Sequence, residues 1–152
     1  MEKVENLLNQ QLDALLTDES DLVANMANAS ALLNQYLEKI NWVGFYRYVA
    51  AKDELILGPF QGNVACMHIK NGTGVVGTAF QKDKAIRVAD VHQFAGHIAC
   101  DANSKSEMVI PVETQAKRIG VLDIDSPVLD RFSQEDEEVL KEFVQVFVKH
   151  ID

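Results

Sequence analysis

The hydrophobic period of this chain changes near residue 42, and that change restricts the folds open to it. Over the first forty residues Val4, Leu7, Leu8, Leu12 and Leu15 recur at helical spacing, and after Thr17-Asp18-Glu19-Ser20 the spacing resumes through Leu22, Met26, Ala29, Leu33 and Leu37. Two amphipathic helices are predicted. From Trp42 the apolar residues come instead in short aromatic or branched runs at 42–48, 54–58, 65–69, 85–88, 106–112 and 119–125, the first two separated by Ala50-Ala51-Lys52-Asp53 as in a hairpin. After Phe132 the helical period returns. Ser133 is a natural N-cap, Glu135, Asp136 and Glu137 suit the positive end of the helix dipole, and Val139, Leu140, Phe143, Val146, Phe147 and Ile151 form one apolar stripe. Helices at both ends of a meandering antiparallel sheet predict an α+β architecture, with the helices segregated to one face.

At 152 residues the chain is expected to be one domain, 1–152, divided into N-terminal helices (1–40), a sheet with its loops (41–126) and a C-terminal helix (133–150). The formal net charge is −9 and the fourteen Lys and Arg never cluster, so nothing offers a footprint for a phosphate backbone, and nucleic acid is not an expected partner. There is no basic-then-apolar opening segment and no apolar run of the ~18 residues that suggest a span. No membrane association and a cytoplasmic location are expected. In a reducing compartment, the two cysteines, Cys66 and Cys100, are inert, metal-binding or redox-active.

The stretch GTGVVG at 72–77 spells the G-x-G-x-x-G of dinucleotide sites, with a candidate strand before it and Asp90 eighteen positions beyond Gly72. Only a short helix, 75–81, can follow before Lys82-Asp83-Lys84, whereas a parallel crossover needs a longer one. A Rossmann fold is therefore not predicted.

Two groups of residues carry chemistry. On the strand 119–125, alternation puts Asp123 and Asp125 on one face, about 7 Å apart, and Leu122 and Ile124 on the other. If 106–112 pairs antiparallel with it, Glu107 falls opposite Asp123 or Asp125, and three carboxylates converge. An amino-acid ammonium, Mg²⁺ or Ca²⁺ would relieve them, or one acid keeps its proton as a general acid; the plain alternative is a wet strand end entering the Ser126-Pro127 turn. The second group lies on the long polar loop 90–104, where an imidazolium at His97 could activate the Cys100 thiol. Cys66-Met67-His68 with His97-Ile98-Ala99-Cys100 is not a standard zinc spacing, so no metal is assigned. Cys66, between Ala65 and Met67, also reads as a small buried hydrophobe, which leaves Cys100 as the better candidate for the reactive thiol.

The motifs NWVGFY (41–46), LGPFQG (57–62), DVHQFAGHIACD (90–101), SEMVIPV (106–112) and IGVLDIDS (119–126), in that order, closely resemble the free methionine-R-sulfoxide reductases of the GAF family. The resemblance runs from about residue 41 to the last helix. It implies a GAF domain in which Cys100 attacks the sulfoxide sulfur, a sulfenic acid forms, and Cys66 condenses with it to a disulfide that thioredoxin reduces. It further implies substrate binding by Glu107, Asp123 and Asp125, an aromatic wall from Trp42 and Tyr46, and a carboxylate seat on the backbone around Val76 and Gly77. It implies no metal and no organic cofactor, and related GAF proteins suggest a homodimer. The family commonly carries a third cysteine where this chain has Val76, so a reductase cycle must run directly between Cys100 and Cys66. With no output domain in these residues an enzyme is expected; the missing cysteine favours the alternative, a non-catalytic module that binds methionine or its sulfoxide.

Overall fold

The computed structural model describes residues 2–98 and 100–151, with side chains from residue 7 onward, so the Val4 side chain lies outside the described part. The two expected opening helices form as α1 (Glu2–Leu16) and α2 (Leu22–Tyr36). Asp21 caps α2 by accepting from the Ala24 N–H, and Leu37 turns extended and ends it. Then follow β1 (Trp42–Val49), β2 (Glu54–Gly62), β3 (His68–Lys70), α3 (Gly74–Lys82), β4 (Ile86–Val88), β5 (Ser106–Glu113), β6 (Arg118–Ser126) and α4 (Gln134–Val148). Ser133 and Asp136 complete a capping box at the start of α4, each side chain bonding the other's backbone N–H.

The strands form one sheet in the order β3-β2-β1-β6-β5-β4, with every neighbouring pair antiparallel. It is not a simple meander. The first and last hairpins meet at the centre, where β1 pairs with β6, and α3 carries the chain from one sheet edge to the other. A sheet without a parallel pair has no dinucleotide crossover, which settles the reading of GTGVVG on topological grounds.

Alternation along the strands builds two cores. On one face Phe45, Met108, Ile110, Leu122 and Ile124 pack against Leu12, Leu16, Met26 and Leu33 of α1 and α2 and Phe143 and Phe147 of α4. Phe45 and Phe147 stack with centroids 5.0 Å apart. The terminal helices thus share one face, as expected, while α3 departs from that rule. It covers the other face, where Val75, Val76 and Phe80 meet Trp42, Tyr46, Val109 and Val121. This second core is smaller, and the carboxylates of β5 and β6 occupy its end.

Two strands differ from their predicted spans by more than a residue at an end. The run 54–58 extends to Gly62, because Pro59 falls where the β1–β2 register shifts between Gly44 and Tyr46, so its missing N–H interrupts no regular ladder position. The run 65–69 shortens to His68–Lys70. Cys66 lies before the strand and is bonded to Cys100 on a distant loop.

Candidate active site

Cross-strand register assembles the acids. Glu107 lies opposite Asp125 and Val109 opposite Asp123 on the β5–β6 ladder, while β1 sets Trp42 against Asp125 and Gly44 against Asp123. One oxygen from each of Glu107, Asp123 and Asp125 falls within 4.8 Å of the others. Glu107 is 8% and Asp123 5% exposed, and among the described residues none of the ion pairs involves any of the three. Oδ1 of Asp123 and of Asp125 are buried without a hydrogen-bond partner. Burial first, and repulsion from the neighbouring carboxylates second, push all three carboxyls well above the usual range. A bound cation would relieve such a cluster. An ammonium, with three donors, can serve all three acceptors; the same oxygens also suit a hard divalent ion.

The wall beside the acids is aromatic. Trp42 stacks between Tyr46 and Phe60, at 5.9 and 5.1 Å, and its Nε1 donates to the Asn63 carbonyl at 3.1 Å. Tyr46 donates from its hydroxyl to the Cys66 carbonyl at 2.9 Å. Burial, then the charges of Asp123, Asp125 and Glu107, push the Tyr46 phenol up, so it stays a donor at physiological pH. The wall therefore also fixes the backbone of one cysteine.

Cys66 and Cys100 form a disulfide with Cα atoms 5.4 Å apart. Cys100 lines the cavity that contains the acids, Trp42 and Tyr46, whereas Cys66 does not. The loop bearing Cys100 is tied down at both ends. Asp90 caps a 3-10 turn at Val91–Gln93, the Val91 N–H donates to the Lys105 carbonyl at 2.8 Å, and Asn41 Nδ2 donates to Asp101 Oδ2 and Ser104 Oγ. Asn41 opens the NWVGFY motif, yet nothing in the sequence marked it as an anchor for a loop sixty residues away. Partial burial, then His92, hold the His97 imidazole below its ordinary pKa, so the expected activating imidazolium is disfavoured. The four Cys and His side chains considered for zinc do not assemble: both sulfurs are bonded to each other and His68 Nδ1 lies 3.3 Å from Glu54.

The start of α3 closes the cavity from the other side. Thr73, Gly74, Val75 and Val76 line it, and the Thr73 hydroxyl donates to the Lys70 carbonyl rather than capping the helix. The first N–H groups of α3 are left without a side-chain cap, the usual basis for receiving an anion. Gly77, expected among the binding residues, is placed differently. Its N–H donates to the Thr73 carbonyl at 2.9 Å, it does not line the cavity, and a Cβ on it would stand 2.5 Å from the Lys70 carbonyl. Its role is the close approach of α3 to the chain end of β3. The cavity itself measures about 40 Å³.

An antiparallel sheet carrying terminal helices on one face, with a buried acidic pocket and a cysteine pair under the other, defines a GAF-type domain equipped for thiol redox chemistry. The GAF domain family profile matches residues 11–151, and the chain belongs to that family. The free methionine-R-sulfoxide reductase of Escherichia coli (strain K12) is 50% identical over 137 residues, covering 90% of this chain and 82% of that one. A structure of fRMsr of Staphylococcus aureus in its reduced form superposes with a TM-score of 0.92 at 53% identity, covering 96% and 94% of the two chains. The free methionine-R-sulfoxide reductase from Neisseria meningitidis, in complex with its substrate, superposes with a TM-score of 0.92 at 40% identity, covering 96% and 87%.

Proposed function

We propose that this chain reduces free L-methionine-R-sulfoxide to methionine, with Cys100 as nucleophile, Cys66 as resolving thiol and thioredoxin as the reductant. The observation that carries the reading is Cys100, bonded to Cys66, lining the same cavity as three clustered carboxylates that no described basic side chain pairs. The substrate's ammonium sits among Glu107, Asp123 and Asp125, its carboxylate meets the free N–H groups of α3, and its methylsulfinyl end lies along Trp42 and Tyr46. Val76 packs beside it. This three-point recognition demands both main-chain charges and so selects a free amino acid.

The Cys100 thiolate attacks the sulfoxide sulfur as the oxygen takes up a proton. Oxygen then passes to Cys100 as a sulfenic acid and methionine leaves. The Cys66 thiol displaces water from that sulfenic acid, giving the disulfide seen here. A dithiol returns both cysteines to thiols, so each turnover consumes two electrons and two protons and releases one water. Since no free cysteine remains beside this pair, resolution is direct. The identity with named reductases and their substrate complex support the chemistry and the R preference.

The reading includes a cytoplasmic location, where such a disulfide is continually reduced; no helix of the described residues is long and apolar enough to cross a membrane. It also includes a homodimer, supported by Leu7, Leu15 and Val23, which are 46%, 44% and 58% exposed on α1 and α2. The decisive experiment is methionine release from separate R and S free methionine sulfoxides with the thioredoxin system. Multiple turnover on R alone is expected; binding without release would make this a ligand-binding module instead.

A further inference from the structure

Two of the most exposed apolar side chains flank one sulfur of the disulfide, in a chain that is strongly acidic overall. Val64 is 88% and Met67 67% exposed, on either side of Cys66, whereas Ile98, two residues before Cys100, is 39% exposed and lines the cavity. The segments that carry the sulfurs, 61–67 (QGNVACM) and 93–100 (QFAGHIAC), contain no Asp, Glu, Lys or Arg, although the formal charge of the whole chain is −9. Burial and His92 also keep His97 neutral. Large apolar side chains standing this far out of a surface beside a reactive group mark a contact site, since nothing in the fold itself is gained by exposing them.

We propose that Val64 and Met67 form the docking collar for a protein dithiol that reduces the disulfide, and that this partner attacks Cys66. The inference rests on the reductase reading for the origin of the disulfide and deepens it by locating the reductant. The geometry of the pair chooses the sulfur. Cys100 lines the cavity and Cys66 does not, and among the described residues the two most exposed large apolar side chains both flank Cys66. Exchange requires the incoming thiolate, the attacked sulfur and the leaving sulfur to lie roughly in line. Approach over the Val64–Met67 side therefore places Cys100 as the leaving group, directed into the pocket.

The steps balance. One thiolate of the partner bonds to Cys66 Sγ, the Cys66–Cys100 bond breaks, and Cys100 leaves as the thiolate that the next sulfoxide requires. The partner's second thiol, deprotonated, attacks the mixed disulfide and releases Cys66, which takes up a proton. The partner ends as a disulfide and this chain as a dithiol. An uncharged collar fits a partner whose own CxxC is ringed by apolar surface, because neither side then buries an unpaired charge.

The test measures the appearance of thiols in the oxidised protein, with no sulfoxide present, so it does not depend on the substrate assignment. Val64→Asp, Met67→Asp and the double variant are compared with the parent, using reduced thioredoxin and, separately, dithiothreitol. Both positions are exposed and neither lines the cavity, so the fold and the small-molecule rate serve as controls. The expected result is at least a ten-fold slower reduction of the double variant by thioredoxin, with the dithiothreitol rate within two-fold of the parent. Equal rates with thioredoxin, or an equal fall with both reductants, overturn the collar. A thioredoxin whose second active-site cysteine is serine is expected to be trapped on Cys66, as read by peptide mass spectrometry; trapping on Cys100 overturns the direction of attack. Failure of methionine release alongside normal thiol appearance would count against the reductase reading and leave the collar standing.

Discussion

Glu107 stands directly across the β5–β6 ladder from Asp125, two carboxyl groups facing each other with no described basic side chain paired to either. Like charges in that position weaken a sheet, and on the proposed reading the substrate's ammonium offsets that cost. Glu107→Gln or Asp125→Asn is expected to weaken methionine sulfoxide binding by about 3 kcal/mol, roughly a hundred-fold, as one partner of a buried charged contact is lost. Calorimetric titration of the reduced variants measures it.

The same burial sets the pH dependence of folding. Asp123 has its folded pKa raised by burial and by Asp125. Below the ordinary carboxylate range both folded and unfolded states hold the proton and the acid costs nothing. As pH rises the unfolded state ionises first, and stability falls until the raised folded pKa is passed. Asp123→Asn is thus expected to raise Tm at pH 8, by the equivalent of about 1 kcal/mol or more, and to change it little at pH 4. Thermal melts at the two values test the sign.

The two cysteines are expected to fail in different ways. Cys100→Ser abolishes methionine release while keeping ligand affinity within a few-fold. Cys66→Ser yields about one methionine per protein with thioredoxin, because the sulfenic acid then has no resolving thiol. Single-turnover quantification of methionine distinguishes the two.

With the disulfide closed the cavity is about 40 Å³, room for water but not for an amino acid. Methionine sulfoxide is expected to bind the oxidised protein at least ten-fold more weakly than the reduced Cys100→Ser protein. Equilibrium dialysis against both forms reads the difference.

Gly77 controls the site from behind. A Cβ there would stand 2.5 Å from the Lys70 carbonyl, so α3 must shift to accept it. Gly77→Ala is expected to cost about 2 kcal/mol, lowering Tm by roughly 4–8 °C, and to weaken ligand binding through the displaced helix start. Melting and titration of one sample report both effects.

Much of this molecule was legible in local pattern. Helical spacing marked α1, α2 and α4, Ser133 announced its cap, and the period of two along 119–125 separated Leu122 and Ile124 from Asp123 and Asp125, since backbone geometry alone decides which side chains share a face. The same period narrowed the partner of Glu107 to two residues, and only the ladder chose Asp125. Other features had no local signal. The fit of Gly77 against Lys70 and the lowered pKa of His97 depend on how turns and loops close, and the anchoring of the Cys100 loop by Asn41 on a group sixty residues away. Sequence determined the elements and their buried faces, because propensity and period act over a few residues. Tertiary structure decided which cysteine faces the pocket and how far the acids are cut off from water, because distance and dielectric are set only once the hairpins have met at β1 and β6.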